Sequence, residues 1–372
     1  MLDTKTLDDP AFGGIRLRDY QQSVRRQVHR GHAKGHGQLI VAPTGSGKSA
    51  MGVAACHDWL ADNPVGRVIW VALRRELLAQ AEKEVNKMGV DVSKFDFVSA
   101  FTTNIAQYVN PEHDYLLVLD EAAHAACDTL TNLHNRVAPK ALLGMSATPA
   151  RADHLALGFH HTILESNYES LISAGFLSEY EHYTIPSFTP AMVARIFVAD
   201  REKWGKTVLF FPTNAECKEF MELLPGGIRE RVGFITTNNQ RDSLIQRFKH
   251  NDGIDALVNV NILTEGYDED SMDTVFIRRA DSNTVVVQAA GRVMRLFKDE
   301  TGKPKIKKVV QPVDSTMFYM TALPCASFDH SQDGWMRTDT DPNAILDAFV
   351  DVSDILVDIE TSTTDLYTLL GC

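Results

Sequence analysis

Short, nearly continuous apolar runs recur along this chain, separated by stretches whose apolar residues return every three or four positions. In the first half the runs are QLIVAP (38–43), RVIWVAL (67–73), DFVSA (96–100), YLLVLD (115–120) and ALLGMSA (141–147). In the second they are TVLFFP (207–212), RVGFIT (231–236), DALVNVN (255–261), TVFIRR (274–279) and KKVVQPV (307–313). A strand that is apolar on both faces belongs in a parallel sheet covered on both sides by helices. The pattern therefore predicts two α/β lobes, residues 1–178 and 179–318, with a cleft between them. The rhythm lapses over 178–206, around FLSEYEHYTIPSFTP, which reads as the connection, and it ends after about residue 318. Beyond that point Ile345, Phe349, Val352, Leu356 and Ile359 fall at helical spacing, which predicts one amphipathic helix in a C-terminal extension, 319–372.

Composition narrows the class. The 372 residues suffice for two domains of ordinary size, and 44% apolar with 23% charged residues is the balance of a globular protein. Five scattered cysteines with no C-x-x-C pair argue against a zinc site or a disulfide framework and fit a reducing, cytoplasmic setting. The polar start MLDTKTLDDP does not read as a secretory leader, and no apolar run reaches membrane-spanning length. A net charge of −12 looks unfavourable for binding nucleic acid, but it is concentrated. From Asp333 to Cys372 nine acids face Arg337 alone, so the body of the chain is near neutral and can still carry a basic groove.

Three stretches carry chemistry. APTGSGKS (42–49) follows a predicted strand and opens a predicted helix. Gly45 and Gly47 let the backbone turn tightly, so that the N–H groups of Thr44 to Ser49 face phosphate oxygens at a helix N-terminus. In such a loop Lys48 reaches the β/γ phosphates and the Ser49 hydroxyl ligates magnesium. LVLDE (117–121) ends an apolar strand in Asp120, placed to hold magnesium through water, with Glu121 placed to orient or deprotonate an attacking water. QAAGRVMR (288–295) sets Gln288, Gly291, Arg292 and Arg295 on one helical face, where two arginines can bring charge to a γ-phosphate.

With these stretches in hand, the chain resembles a superfamily-2 DEAH-like helicase of the type III restriction-subunit group over roughly residues 15–315. LRDYQQ (17–22) is similar to the Q-type motif, in which Arg18 and Gln21 read the adenine. VALRRELLAQ (71–80) resembles motif Ia, whose Arg74 and Arg75 lie where the family contacts the nucleic-acid backbone. GMSATPARAD (144–153) resembles motif III, which links nucleotide state to the strand through Ser146 and Thr148. FFPTNAECKEF (210–220) is similar to motif IV. LVNVNILTEGYDED (257–270) is similar to motif V, with Thr264 toward nucleic acid and Gly266 and Asp268 toward the nucleotide. One position departs: where relatives read DEAHHA this chain reads DEAAHA, so Ala123 replaces the first histidine and His124 matches the second.

The resemblance implies two tandem RecA-like domains that bind ATP and Mg²⁺ and act on DNA, single-stranded or branched, as a compact, phage-type helicase or translocase. An RNA helicase, and an ATP-gated motor subunit of a restriction or defence complex, stay open beside it. The missing histidine implies that hydrolysis survives while its strict dependence on nucleic acid loosens. TGKPKIKK (301–308) reads as a solvated turn or a phosphate contact, and HRGHAKGHG (29–37) as a solvated loop. The acidic extension reads as a solvated end, a docking segment for a basic partner, or a DNA-mimicking flap.

Overall fold

The computed structural model describes residues 11–102, 105–122, 127–147, 159–236, 241–260, 269–278, 291–299, 301–312 and 324–338. The chain divides into two compact units with the boundary between Asn167 and Tyr168, ahead of the 178/179 boundary expected from the apolar rhythm.

The first unit begins with a small hairpin, β1 (Ala11–Phe12) and β2 (Ile15–Arg16), followed by α1 (Asp19–His32). Its sheet comprises β3 (Gln38–Val41), β4 (Arg67–Ala72), β5 (Phe95–Ser99), β6 (Tyr115–Asp120), β7 (Ala141–Ser146) and β8 (His161–Ile163). The strand order is β5-β4-β6-β7-β3-β8, and every pairing is parallel. The connecting helices are α2 (Lys48–Asp62), α3 (Arg75–Lys87) and α4 (Cys127–Val137).

Consecutive strand residues enter opposite cores. Ile40, Val68, Trp70, Leu116 and Met145 pack with Val24 and Val28 of α1, Met51 of α2 and Val85 of α3. Leu39, Val41, Ile69, Leu117 and Leu119 pack on the other face with Leu133 and Val137 of α4. Both faces being dry explains why these strands read as unbroken apolar runs. A buried ion pair fastens α1 to α2: Arg25 Nε and Nη2 donate to Asp58 Oδ2 and Oδ1 at 2.7 and 2.8 Å, with the guanidinium 4.7 Å from the centre of the Phe12 ring.

The second unit holds α5 (Tyr168–Ser173), β9 (Tyr180–Ile185), α6 (Pro190–Ala199), α7 (Arg201–Trp204), β10 (Thr207–Phe210), α8 (Asn214–Leu223), α9 (Gly226–Arg229), β11 (Val232–Ile235), α10 (Arg241–Lys249), β12 (Ala256–Asn259), β13 (Thr274–Ile277), β14 (Lys307–Pro312), β15 (Ala326–Ser331) and β16 (Gly334–Thr338). Its eight strands run β11-β12-β10-β13-β14-β9-β15-β16, parallel except for the β15–β16 hairpin.

Two expectations are corrected here. The stretch 178–206 is no bare connection, since β9 lies inside the sheet between β14 and β15 and α6 and α7 follow it. The extension read from 319 onward supplies β15 and β16 to the same sheet. Their aromatic residues dock on it: Phe328 stacks on Tyr183 at 4.8 Å, and Trp335 meets Tyr183 and Trp204 edge-on at 4.9 and 5.7 Å. The helix expected over 345–359 lies outside the described residues.

Candidate nucleotide-binding site

The first unit brings its chemical residues to one edge of one sheet. In the strand order β7 lies between β3 and β6, with Asp120 in register with Met145 and Val41 in register with Ser146. The Ala42 N–H donates to the Ser146 carbonyl at 3.1 Å, which ties the phosphate loop to the end of β7. The loop after β3, the buried Ser146 and the Asp120–Glu121 pair therefore share the carboxyl ends of three adjacent strands, where open α/β sheets bind ligands.

The loop has the conformation its glycines permit. Gly45 and Gly47 both have φ of 85°, and Gly47 caps α2 from the left-handed region. The backbone amides of the first turn of α2 and the dipole of this 15-residue helix favour an anion there. Lys48 Nζ donates to the Ala42 carbonyl at 3.2 Å, which folds the ammonium back over the loop. Ser49 is half-buried on the first turn of α2.

The Q-type stretch packs on this loop. Gln21 is buried and both ends of its amide are committed: Oε1 accepts from the Arg18 N–H at 3.0 Å, and Nε2 donates to the Ser46 carbonyl at 2.9 Å. Tyr20 was missed by the sequence reading. Its hydroxyl donates to the same Ser46 carbonyl and accepts from Arg18 Nη1 at 3.1 Å, and burial pushes that phenol above its ordinary value. Its only sequence signal is its place between the two motif residues.

The acids at the end of β6 are in an unusual state. Desolvation first, and the neighbouring Glu121 charge second, push Asp120 up to about 7, with Lys48 and Trp70 offsetting part of the rise. Glu121 takes a φ of 54°, rare for a residue with a side chain, and among the described residues its buried Oε2 has no hydrogen-bond partner. The buried Ser46 Oγ is likewise without one. Unsatisfied oxygens at a phosphate loop, an elevated carboxyl and a hydroxyl on the helix N-terminus fit a nucleotide with a hard divalent cation. Ser49 and Asp120 are the residues that would hold magnesium.

In the second unit, Arg295 Nη1 pairs with Asp270 Oδ1 at 3.3 Å, and burial brings this guanidinium down to about 10. The backbone beside it is pinned, since the Ser178 N–H donates to the Met294 carbonyl at 2.8 Å. Arg292 is half-buried. Two buried lysines, unpredicted, clamp the end of motif V and the residues just after it. Lys206 Nζ donates to Ser271 Oγ at 2.7 Å, and Lys307 Nζ donates to the carbonyls of Asp270 and Met272. Burial brings Lys307 down to about 8.

The stretch TGKPKIKK divides: Thr301 to Pro304 form the exposed turn expected of it, whereas Lys307 is fully buried and Lys305 pairs with Asp273 at 3.0 Å. Lys307 is therefore not available as a phosphate contact. HRGHAKGHG is no simple loop either. His29 and His32 belong to α1, His29 meets Asp62 at 2.9 Å, and His36 meets His161 at 2.9 Å. Ala123, His124, Thr148, Thr264, Gly266, Asp268 and Gln288 lie outside the described residues. Arg74 caps α3 and Arg75 begins it, both just past the end of β4 on the same sheet edge as the phosphate loop.

Residues 14–106 match the family model of the type III restriction enzyme res subunit, and 189–297 match the helicase conserved C-terminal domain. The chain belongs to the superfamily-2 helicases of the ResIII-like group. Among curated helicases, the XPB helicase/translocase subunit of the TFIIH basal transcription factor complex from Trypanosoma brucei brucei is 26% identical over 205 residues, 45% of this chain and 21% of that one. The DNA-bound Type ISP restriction-modification enzyme LlaBIII superposes with a TM-score of 0.56 at 18% identity, over 81% of this chain and 28% of its own. Dbp5 of S. cerevisiae, bound to RNA and ADP BeF3, superposes with a TM-score of 0.55 at 15% identity, over 84% and 90%. At these identities the two solved structures share the helicase fold. The chain spans about a fifth of the curated relative's length. Among the described residues, no helix is long and apolar enough to cross a membrane.

Proposed function

We propose that this chain is an ATP-dependent DNA helicase or translocase that couples ATP hydrolysis to movement on, or remodelling of, forks, branches and D-loops. The observation that carries the reading is Glu121. It stands at the end of β6 beside Asp120, in a strained backbone conformation, with a buried carboxylate oxygen left unsatisfied and only β7 between its strand and the one that leads into the phosphate loop. A base that must accept a proton from water is of use in that state, and strain of this kind persists where function requires it.

The roles follow. The loop amides and Lys48 bind the β/γ phosphates, while Gln21 and Tyr20 fix the Ser46 carbonyl and with it the loop's shape. Arg18 selects adenine, and Gln21 acts as a positioning residue, its amide committed to the Arg18 N–H and the Ser46 carbonyl. Glu121 orients and deprotonates the attacking water. Ser49 and Asp120 would hold magnesium, which would supply positive charge to the phosphate oxygens. Arg292 and Arg295 stabilise the transferring phosphoryl group, Gln288 shares in hydrolysis, Gly266 and Asp268 contact the nucleotide, and Arg74, Arg75 and Thr264 hold the strand's phosphates. Ser146, Thr148 and His124 relay nucleotide state to the strand. The match to a restriction subunit favours one second reading, a motor subunit of a restriction or defence complex, which co-purification with a partner would reveal.

The test is steady-state ATP hydrolysis with no nucleic acid, single-stranded DNA, branched DNA and RNA, with Glu121→Gln as control. Strong stimulation by DNA, lost in the control, is expected. Greater stimulation by RNA moves the substrate class to RNA. High turnover with no nucleic acid means Ala123 has loosened the coupling, and no turnover in any arm overturns the reading.

A further inference from the structure

Phe101 is the most exposed large hydrophobic residue among those described, at 75%. Single exposed apolar residues are ordinary on protein surfaces, so exposure alone assigns nothing. Its position does. In the β4–β5 pairing Ala72 stands opposite Ser99, and the Ala100 N–H donates to the Ala72 carbonyl at 2.9 Å. Two residues beyond Ala72 is Arg74, followed by Arg75; two residues beyond Ser99 is Phe101. Adjacent strands lie about 4.8 Å apart, so Phe101 and the two arginines follow neighbouring strand ends. The Thr102 N–H donates to the Ser99 carbonyl at 2.9 Å and the Phe101 N–H to Ser99 Oγ at 3.3 Å, so a hydrogen-bonded turn holds the ring in solvent. The whole constellation lies on the carboxyl edge that also carries the phosphate loop.

We propose that Phe101 is a base-stacking residue for single-stranded nucleic acid, with Arg74 and Arg75 holding the adjacent phosphates. The inference rests on the reading of the chain as a nucleic-acid motor and adds to it a residue and a substrate form. Guanidinium groups give affinity through phosphates, which a duplex and a single strand both present. A phenyl ring stacks on a base face, which a duplex keeps covered by its neighbours. The pairing selects a strand whose bases are free, and because every base has a π-face it selects no sequence.

The full-length chain is tested by fluorescence anisotropy on oligo-dT and on the same strand carrying abasic sites, across a salt series, as wild type, Phe101→Ala, and Arg74→Gln with Arg75→Gln. Unchanged melting temperatures verify folding. Wild type is expected to bind oligo-dT about tenfold more tightly than the abasic strand. Phe101→Ala is expected to lose that tenfold on oligo-dT, lose nothing further on the abasic strand, and keep the wild-type salt slope. The arginine variant is expected to lower the salt slope by about one per phosphate contact and to keep the discrimination. A Phe101→Ala protein that still discriminates, or whose only change is in salt slope, overturns the stacking role alone. Wild type that binds both strands equally also overturns it, while wild type that binds no nucleic acid overturns the motor reading with it.

Discussion

Gln21 donates its side-chain amide to the Ser46 carbonyl at 2.9 Å, across 25 residues of sequence, and Tyr20 donates its hydroxyl to the same oxygen. Two donors on one carbonyl set the shape of the phosphate loop before any nucleotide arrives. Gln21→Ala removes one of them and frees the Arg18 N–H. It is expected to weaken ATP binding by about 1–2 kcal/mol, or roughly tenfold in Kd, with Tyr20→Phe giving a similar loss. Gly47→Ala is expected to be more severe. An added Cβ meets Gln21 Nε2 at 2.5 Å, at a φ of 85° that favours glycine. Calorimetric titration with ATP checks all three, and a Gly47→Ala protein with wild-type affinity would refute the account of the loop.

Glu121 makes a separable contribution. Glutamine keeps the side chain's size but cannot accept the water's proton. Glu121→Gln is therefore expected to lower kcat by about 10²- to 10⁴-fold while ATP affinity stays within a few-fold of wild type. Single-turnover hydrolysis alongside a binding isotherm distinguishes this from loss of binding, which would place Glu121 in ground-state recognition.

The Arg25–Asp58 pair predicts how stability depends on pH. Burial alone pushes the Asp58 carboxyl up, but hydrogen bonds from His57 and Arg25 outweigh it and hold the group below its ordinary range. The folded value thus lies below the unfolded one of about 3.9. The pair's contribution is complete above that unfolded value and is lost as pH falls through the folded value. Asp58→Ala leaves Arg25 charged and buried, and is expected to cost about 3–5 kcal/mol at pH 7. Urea unfolding of wild type and Asp58→Asn between pH 7 and pH 3 is the check. The variant should show a shallower loss on acidification, and parallel curves would assign acid sensitivity elsewhere.

Which features were legible in the sequence follows from what each element faces. Leu39 and Ile40 enter different cores, so β3 had to be apolar at successive positions, and the same holds for β4, β6 and β7. β9 escaped because YEHYTI mixes Glu181, His182 and Thr184 into its run, although it lies inside its sheet. The phosphate loop and the Asp120–Glu121 pair were readable because their chemistry is written in consecutive residues. Tyr20, Lys206 and Lys307 were not, because their acceptors lie far away in sequence and are largely backbone carbonyls that no side-chain pattern encodes.

The hairpin of β15 and β16 tests the boundary of the second unit. Lys203 Nζ sits 4.1 Å from the centre of the Tyr183 ring and 4.7 Å from that of Trp335, with the Trp204 and Phe328 rings at 5.1 and 5.6 Å. Trp335 Nε1 also donates to Asp200 Oδ2 at 2.7 Å. Burial lowers Lys203 from its ordinary value, while Asp200 and Glu181 oppose the drop. Trp335→Ala removes one wall of this enclosure, the hydrogen bond to Asp200 and the edge contacts on Tyr183 and Trp204. Full burial of a tryptophan is worth about 3–5 kcal/mol, and half-burial here reduces the expected cost to about 2 kcal/mol. Trp335→Phe keeps a ring against the ammonium and should recover about half of the loss. Chemical denaturation of the full-length chain measures both. A Trp335→Ala protein as stable as wild type would mean that the second sheet ends at β9 in solution, with the hairpin free of it.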